Sequence, residues 1–257
     1  MGTVFRFVGR TALDEASVTE ALQAAAEILH RADQVFSLYK QDSPLSRLAR
    51  GETQVSECPP EVSEVWNLCG KWSEETSGWF SAFTPEHSFD PSGLVKSWTA
   101  NSAAEKLEQL GLTDFAMNAG GDIRLSRNIQ SGVPLRIGIS KPITIASKDS
   151  GVLTVVDLND TNFRAVATSG NAERGAHIWN PNDNSYAASL AQVTVVAQDL
   201  ITADIWATAL FASGAAALGL VEAQNQDKRD NQIAVLIVEL DGSLIASEGF
   251  GSLLKPM

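Results

Sequence analysis

The sequence is poor in the side chains that most often bind zinc or form disulfides. It has two cysteines and three histidines among 257 residues. Cys58 and Cys69 lack the Cys-x-x-Cys spacing of a zinc or redox site, and the histidines are scattered along the chain. Because Cys69 falls on the apolar face of a predicted helix, we expect it to be a free, structural thiol.

Long apolar runs are also missing. No stretch approaches the roughly 18 consecutive apolar residues that indicate a membrane-spanning helix. The amino-terminal residues have neither the basic region nor the apolar region of a signal peptide. The sequence therefore predicts no membrane span and a cytoplasmic protein, although a trimmed secreted form would show the same pattern.

Positive charge is scarce as well. The chain has 19 lysines and arginines against 31 aspartates and glutamates, a formal net charge of −12. A nucleic-acid partner would need a basic surface, so none is expected. A phosphorylated ligand is still allowed, because a bound cation and backbone amides can offset charge locally. The length permits one large domain or two closely associated ones, and the prediction is a single domain over residues 1–257.

Predicted helices lie mostly early in the chain and predicted strands late. A helical period covers residues 17–39, with Ser17 as the N-cap, and further helices are predicted over residues 59–76, 93–110 and 200–218. Strands are predicted over residues 3–9, 115–119, 135–140, 153–158, 163–168 and 192–197, with a closing hairpin across Asp241-Gly242. Residues 40–53 and 224–231 are polar and are expected to be loops. Because no βαβ alternation occurs, we predict an α+β fold with a largely antiparallel sheet flanked by helices.

Two oxygen-bearing side chains stand in an otherwise apolar predicted helix. Asp204 and Thr208 are four residues apart, which places them one turn apart on the same face. A carboxylate among apolar residues needs a partner, because an unpaired buried charge is costly. A carboxylate and a hydroxyl together suit a hard cation such as Mg²⁺. The alternative is that Asp204 is a helix N-cap or a surface residue.

Three other segments carry candidate chemistry. Residues 89–97 lead into a helix whose first turn contains Lys96, where an anion would be favoured; an ordinary loop with a solvated lysine is the alternative. Two glycines in residues 117–124 permit a tight bend or simply a β-turn. Residues 167–171 are followed by His177, which could act as a base near neutral pH or serve a structural role.

Taken in order, these segments resemble the ApbE family, the FAD:protein FMN transferases. The family pattern contains a Met-Gly-Thr start, Ser-x-Tyr with Asp-Ser, and Thr-Gly-Gly-Ala-Phe. It continues with Asp-Leu-Gly/Ser-Gly-Ile-Ala-Lys-Gly, called the lysine loop below, and with Asn-x-Gly-Gly-Asp, Thr-Ser-Gly, His-Ile-x-Asp-Pro and Ala-Asp-Ala-x-Ala-Thr-Ala. The matching segments are residues 1–3, 37–39 with 42–43, 76–80, 90–97, 118–122, 168–170, 177–181 and 203–209. The resemblance spans nearly the whole chain and implies an ApbE-like, T-fold-related domain.

The resemblance implies that FAD is the substrate and Mg²⁺ the cofactor, and that FMN passes to a Thr or Ser hydroxyl of an acceptor flavoprotein subunit while AMP leaves. It assigns the metal ligands to Asp204, Thr208 and the backbone carbonyl of Gly93. His177 matches the base that takes the proton of the acceptor hydroxyl. The residues implied to bind FAD are Met1, Tyr39, Trp79, Phe80, Ser81, Asp90, Lys96 and Ile178.

Some positions depart from the family pattern. Ser97 and Ser77 stand where glycines are usual, Ser81 replaces an aspartate, and Asn180 replaces the aspartate near the histidine. The metal pair and Lys96 are intact. Two alternatives to the transferase therefore stay open: a metal-dependent FAD pyrophosphatase that yields FMN and AMP, and a non-catalytic FAD-binding protein.

Overall fold

A computed structural model describes residues 3–86, 88–129, 135–142, 151–170, 178–214, 218–227 and 232–254. The chain divides into two compact units, residues 1–129 and residues 130–257. The prediction of a single domain over residues 1–257 stays a prediction.

The described part of the first unit has four α-helices, α1 (Glu15–Phe36), α2 (Pro44–Ala49), α3 (Pro60–Glu75) and α4 (Ser92–Gln109), and a short 3-10 helix (Val55–Glu57). The N-cap of α1 is Asp14, whose carboxylate accepts the backbone N–H of Ser17 at 2.8 Å. The prediction of Ser17 as N-cap was therefore wrong: it is the third helical residue, to which a capping side chain bonds. Helix α2, capped by Ser43, lies within the predicted loop over residues 40–53 and was missed because its six residues are too few to show a helical period.

The sheet of the first unit is a three-stranded antiparallel meander. Strands β1 (Phe5–Arg10), β2 (Asp114–Ala119) and β3 (Asp122–Leu125) pair in chain order. A two-residue turn joins β2 to β3, and Gly120 and Gly121 there have φ angles of +63° and +102°. Glycine is favoured at both positions because a Cβ atom is unfavourable at positive φ. Strand β3 had not been predicted.

The second unit contains an antiparallel sheet in the order β6-β7-β8-β9 and a separate antiparallel pair. The sheet strands are β6 (Ala165–Gly170), β7 (Leu190–Ala197), β8 (Ala234–Glu239) and β9 (Leu244–Ala246), and the pair is β4 (Arg136–Ser140) with β5 (Val152–Asp157). All eight residues of β7 are buried. The predicted hairpin across Asp241-Gly242 is confirmed by the β8–β9 pairing.

Helix α5 (Leu200–Ser213) packs against β6 and β7, and α6 (Leu218–Asp227) and the short α7 (Glu248–Gly251) follow. The prediction that α5 extends to residue 218 was wrong, because the helix ends at Ser213 and its C-cap Gly214 has a φ of +65°. Helix α6 also occupies residues 224–227, which had been expected to be loop. The α+β class with mainly antiparallel sheet is confirmed.

Candidate functional site

The oxygen pair of the second unit lies in the middle of α5. Asp199 caps this helix and accepts the backbone N–H of Thr202 at 2.9 Å, so Asp204 is not the N-cap. Asp204 is 5% exposed, which also excludes a surface position. Thr208 lies one turn further and is partly buried, and its Oγ1 is 3.3 Å from Oγ of Ser169 on β6. The helix thus carries a carboxylate and a hydroxyl on one face, among residues that are mostly apolar and buried.

In the first unit, the loop before α4 is organised by Asp90. Its Oδ1 accepts the backbone N–H of Ser92 at 2.9 Å and the hydroxyl of Ser92 at 2.5 Å. Its own backbone N–H donates to the carbonyl of Ala82 at 2.8 Å. These bonds set the point at which α4 begins, and they give the partly buried Asp90 a structural role.

Gly93, in the first turn of α4, lies against the ring of Phe80. A Cβ atom at this position would be 3.2 Å from Cε2 of Phe80, and Phe80 is 2% exposed. A side chain there would make an unusually tight contact, and the buried ring would have to shift slightly. The glycine therefore permits close packing between the start of α4 and the segment after α3.

Lys96 forms an ion pair with Asp122, the first residue of β3. The lysine side chain is 19% exposed and the aspartate 2%. This contact joins two segments that the sequence singled out separately, the lysine loop and the Asn118–Asp122 motif. An ammonium has three N–H donors, so a pairing with Asp122 is compatible with a further contact to a phosphate.

The sequence did not single out the side chains that hold β3 against α4. Arg124 is 3% exposed, and its guanidinium donates to Oδ1 of Asn101 at 2.8 Å and to Oε1 of Glu108 at 3.1 Å. The same Glu108 oxygen accepts the backbone N–H of Arg127 at 2.8 Å. Because Arg124 is two residues from Asp122, this network fixes the strand that carries the partner of Lys96. The sequence indicates this network only through the arginine itself, which stands between the apolar residues Ile123 and Leu125.

The segment after α3 builds its turn from Thr76. This residue is fully buried; its hydroxyl donates to the carbonyl of Trp72 at 2.7 Å and accepts the N–H of Phe80 at 3.0 Å. Ser77 has a φ of +52°, at a position where the family pattern has glycine. Trp79 and Ser81 are partly buried, and Oγ of Ser81 accepts the backbone N–H of Phe83 at 3.1 Å.

The other residues predicted to bind FAD are in varied surroundings. Tyr39 is 93% exposed, just after α1, whereas Ile178 is 7% exposed and its carbonyl accepts the N–H of Ala187 at 2.8 Å. His177 and Met1 lie outside the described residues.

Two of the departures from the family pattern are accommodated by hydrogen bonds. Ser97 is fully buried, and its hydroxyl donates to the carbonyl of Leu94 at 3.1 Å. Oδ1 of Asn180 accepts the N–H of Asn182 at 2.9 Å, a bond that a carboxylate oxygen would also accept.

Cys69, on α3, is a free and buried thiol, as predicted. Burial, together with the negative charge of Asp90, raises the pKa of Cys69 to about 12. A thiol with this pKa stays protonated near neutral pH and is a poor nucleophile and metal ligand.

Within the described ranges, no group of three or more histidine, cysteine, aspartate or glutamate side chains is placed to hold a metal ion. None of the described helices is long and apolar enough to cross a membrane.

Comparison with known proteins decides the family. The model of the ApbE family matches residues 1–85 and 82–235. The chain belongs to the ApbE family.

The similarity of this ApbE chain extends to individual relatives. The FAD:protein FMN transferase of Haemophilus influenzae is 31% identical over 170 residues, which cover 63% of this chain and 46% of that protein. The FAD:protein FMN transferase of Salmonella typhimurium is 26% identical over 181 residues, which cover 67% of this chain and 47% of that protein. The chain thus spans about half the length of the curated relatives it matches.

Solved structures show the same fold over nearly the whole chain. The ApbE protein of Thermotoga maritima superposes with a TM-score of 0.80 at 20% identity, covering 99% of this chain and 97% of that one. The flavin transferase ApbE of Vibrio cholerae gives 0.75 at 21% identity, covering 99% and 96%.

Proposed function

We propose that this chain is a Mg²⁺-dependent FAD:protein FMN transferase that attaches FMN through a phosphoester bond to a Thr or Ser of an acceptor protein and releases AMP. The observation that carries the proposal is the pair formed by the buried Asp204 and the partly buried Thr208 on one face of α5, in a member of the ApbE family. The names of its relatives support the same activity.

The donors on α5 fit Mg²⁺, which prefers oxygen ligands and completes its shell with phosphate and water. Asp204 would supply the negative charge and Thr208 a neutral oxygen one turn away. Bound there, Mg²⁺ would stabilise charge developing on the phosphate oxygens. The family resemblance also assigns the carbonyl of Gly93 as a ligand, and that assignment stays a prediction.

Lys96 would bind a phosphate of FAD, held in place by its pairing with Asp122. Asp90 would keep the start of α4, where backbone N–H groups favour anions, in its position. Phe80 is 2% exposed, and its ring lies against Gly93. It would support FAD binding by keeping the first turn of α4 in position. Tyr39, Trp79, Ser81, Ile178 and Met1 stay predicted FAD contacts.

In the transfer step, the acceptor hydroxyl oxygen forms a bond to the phosphorus on the FMN side of the pyrophosphate. The bond from that phosphorus to the bridging oxygen breaks, and AMP departs with the bridging oxygen. We assign the proton of the acceptor hydroxyl to His177, in agreement with the family pattern and with the ordinary range in which histidine titrates.

The test is incubation of the protein with FAD, with and without Mg²⁺ and a candidate flavoprotein subunit, followed by chromatography of the nucleotides and detection of protein-bound flavin. We expect covalent flavin on the acceptor, AMP in equal amount, and a requirement for Mg²⁺. The variant Asp204→Asn should lose this activity. Its matched control is Asp241→Asn, which changes an exposed aspartate in the β8–β9 turn.

The other outcomes would each overturn the proposal. FMN and AMP in the absence of acceptor would make the protein a pyrophosphatase. FAD that binds and stays intact, with every acceptor tried, would make it a binding protein. Full activity of Asp204→Asn would remove Asp204 from the metal site.

A further inference from the structure

Threonine hydroxyls associated with the helices of this protein usually bond along the helix. Thr19, Thr76 and Thr99 each donate to the carbonyl four residues earlier, at 2.8, 2.7 and 2.6 Å. This is the ordinary bond of a helical threonine. The two threonines of α5 depart from the pattern. Thr202, in the first turn, donates to the carboxylate of the capping Asp199 at 2.6 Å, and the hydroxyl of Thr208, in the middle of the helix, contacts Oγ of Ser169 on the neighbouring strand at 3.3 Å.

Ser169 is placed to make this contact by the alternation of β6. Residues Ala165, Ala167 and Ser169 share the face of the strand that lies against α5, since successive strand residues alternate between faces. The two alanines are fully buried and Ser169 is 8% exposed. The serine therefore brings the polar atom of this face to the position opposite Thr208.

A hydroxyl has one proton and two lone pairs. When the oxygen of Thr208 gives a lone pair to a cation, its proton must point to an acceptor in another direction. A bond to the carbonyl of Asp204 would direct the proton along the helix and fix the oxygen accordingly. When Ser169 is the acceptor of their contact, the proton of Thr208 points toward β6 instead.

We propose that Ser169 is a positioning residue that accepts the proton of Thr208 and so orients the Thr208 oxygen toward Mg²⁺. This inference rests on the proposed function, because it takes Thr208 as a metal ligand. Ser169 itself does not bind the metal. Its removal lowers metal affinity while leaving the chemistry of the metal-saturated enzyme intact.

The experiment uses Mn²⁺ as a paramagnetic probe, titrated into the whole chain with FAD, with FAD alone as the blank. Free Mn²⁺ is measured by electron paramagnetic resonance. For Ser169→Ala we expect the dissociation constant to rise about fivefold, as for the loss of one neutral hydrogen bond. The control is Ser213→Ala, which removes a 3.2 Å hydroxyl bond to the carbonyl of Leu210 on the same helix. It should bind Mn²⁺ as the wild type does.

Steady-state kinetics and stability separate positioning from a structural role. In Ser169→Ala, the metal concentration for half-maximal velocity should rise about fivefold, with kcat at saturating metal within about twofold of wild type. The melting temperature of the metal-free protein should change no more than in Ser213→Ala.

The results that would overturn the inference are distinct from those that would overturn the proposed function. If Ser169→Ala bound Mn²⁺ as tightly as the wild type, Ser169 would not be a positioning residue. A lower kcat without a loss of metal affinity would contradict the inference in the same way. An equal loss of affinity in Ser213→Ala would also do so. A wild-type protein that binds no Mn²⁺ beyond the FAD blank would instead refute the metal site.

Discussion

The ion pair between Lys96 and Asp122 should contribute more to stability than the exposed ion pairs of this protein. It joins the first turns of α4 to the start of β3, and its members are 19% and 2% exposed. We consider three variants: Lys96→Met, which keeps most of the aliphatic stem; Asp122→Asn, which keeps the shape; and the double variant.

The expected magnitudes follow from the two exposures. Removing one partner of a fully buried pair costs roughly 3–5 kcal/mol, because the remaining charge stays buried. Lys96→Met leaves the carboxylate of Asp122 almost without contact to water, so we expect the free energy of unfolding to fall by about 3 kcal/mol. Asp122→Asn leaves an ammonium with some access to water, so we expect about 2 kcal/mol. The double variant should lose about 3 kcal/mol rather than the sum, a coupling energy of about 2 kcal/mol.

The measurement is urea unfolding of all four proteins without ligand, followed by far-UV circular dichroism and tryptophan fluorescence. The comparison is the same cycle on Lys71 and Glu75, a pair at 3.6 Å whose lysine is 62% exposed. That cycle should give only about 0.3–0.5 kcal/mol. A coupling energy for Lys96 and Asp122 as small as this would refute the argument from burial.

Three further predictions concern single residues. Ser77→Gly should stabilise the protein by about 0.5–1 kcal/mol in urea unfolding, because a left-handed φ of +52° costs an L-residue about 1–2 kcal/mol and the greater freedom of unfolded glycine offsets part of the gain. Cys69 should not react with Ellman's reagent at pH 8 until guanidinium is added, whereas the partly buried Cys58 should react in the native protein. Because the pKa of Cys69 is raised from 9.0 to about 12, the stability due to its neutral thiol is complete below pH 9 and is lost as the pH rises toward 12. His177→Ala should keep FAD binding, measured by flavin fluorescence, but slow transfer by about 10²–10⁴-fold.

Each of these predictions has an outcome that contradicts it. A less stable Ser77→Gly would mean that the serine side chain contributes more than its backbone strain costs. Two reactive thiols in the native protein would contradict the burial of Cys69, and a Cys69→Ala variant with the same alkaline stability loss would assign that loss elsewhere. Equal losses of FAD binding and transfer in His177→Ala would make His177 a binding or folding residue.

Much of the fold could be predicted from periodicity and turn residues. Helix α3 begins at the Pro-Pro pair and has Thr76 as its C-cap, and the Asp-Gly turn joins β8 to β9, as local sequence indicated. The failures have physical causes. Helix α2 is too short to show a period, and β3 is a four-residue strand that depends on its pairing with β2. The end of α5 is set by the backbone conformation of one glycine.

The candidate site was predictable to the level of its residues but not of its contacts. Spacing alone placed Asp204 and Thr208 on one face of a helix, and both lie on α5. The pairing of Lys96 with Asp122, and the support from Arg124, join residues that are distant in the sequence. No local pattern reports such contacts, because they arise only when β3 packs beside α4.

The burial of α5 has a consequence for how a cation bound by Asp204 and Thr208 would be released. Eleven of the 14 residues of this helix are buried, and it packs on β7, where all eight residues are buried. Backbone amides in such elements exchange with solvent chiefly through global unfolding. A cation held by Asp204 and Thr208 would thus be protected from local fraying. Its binding should slow hydrogen exchange throughout the second unit, and not only near its ligands.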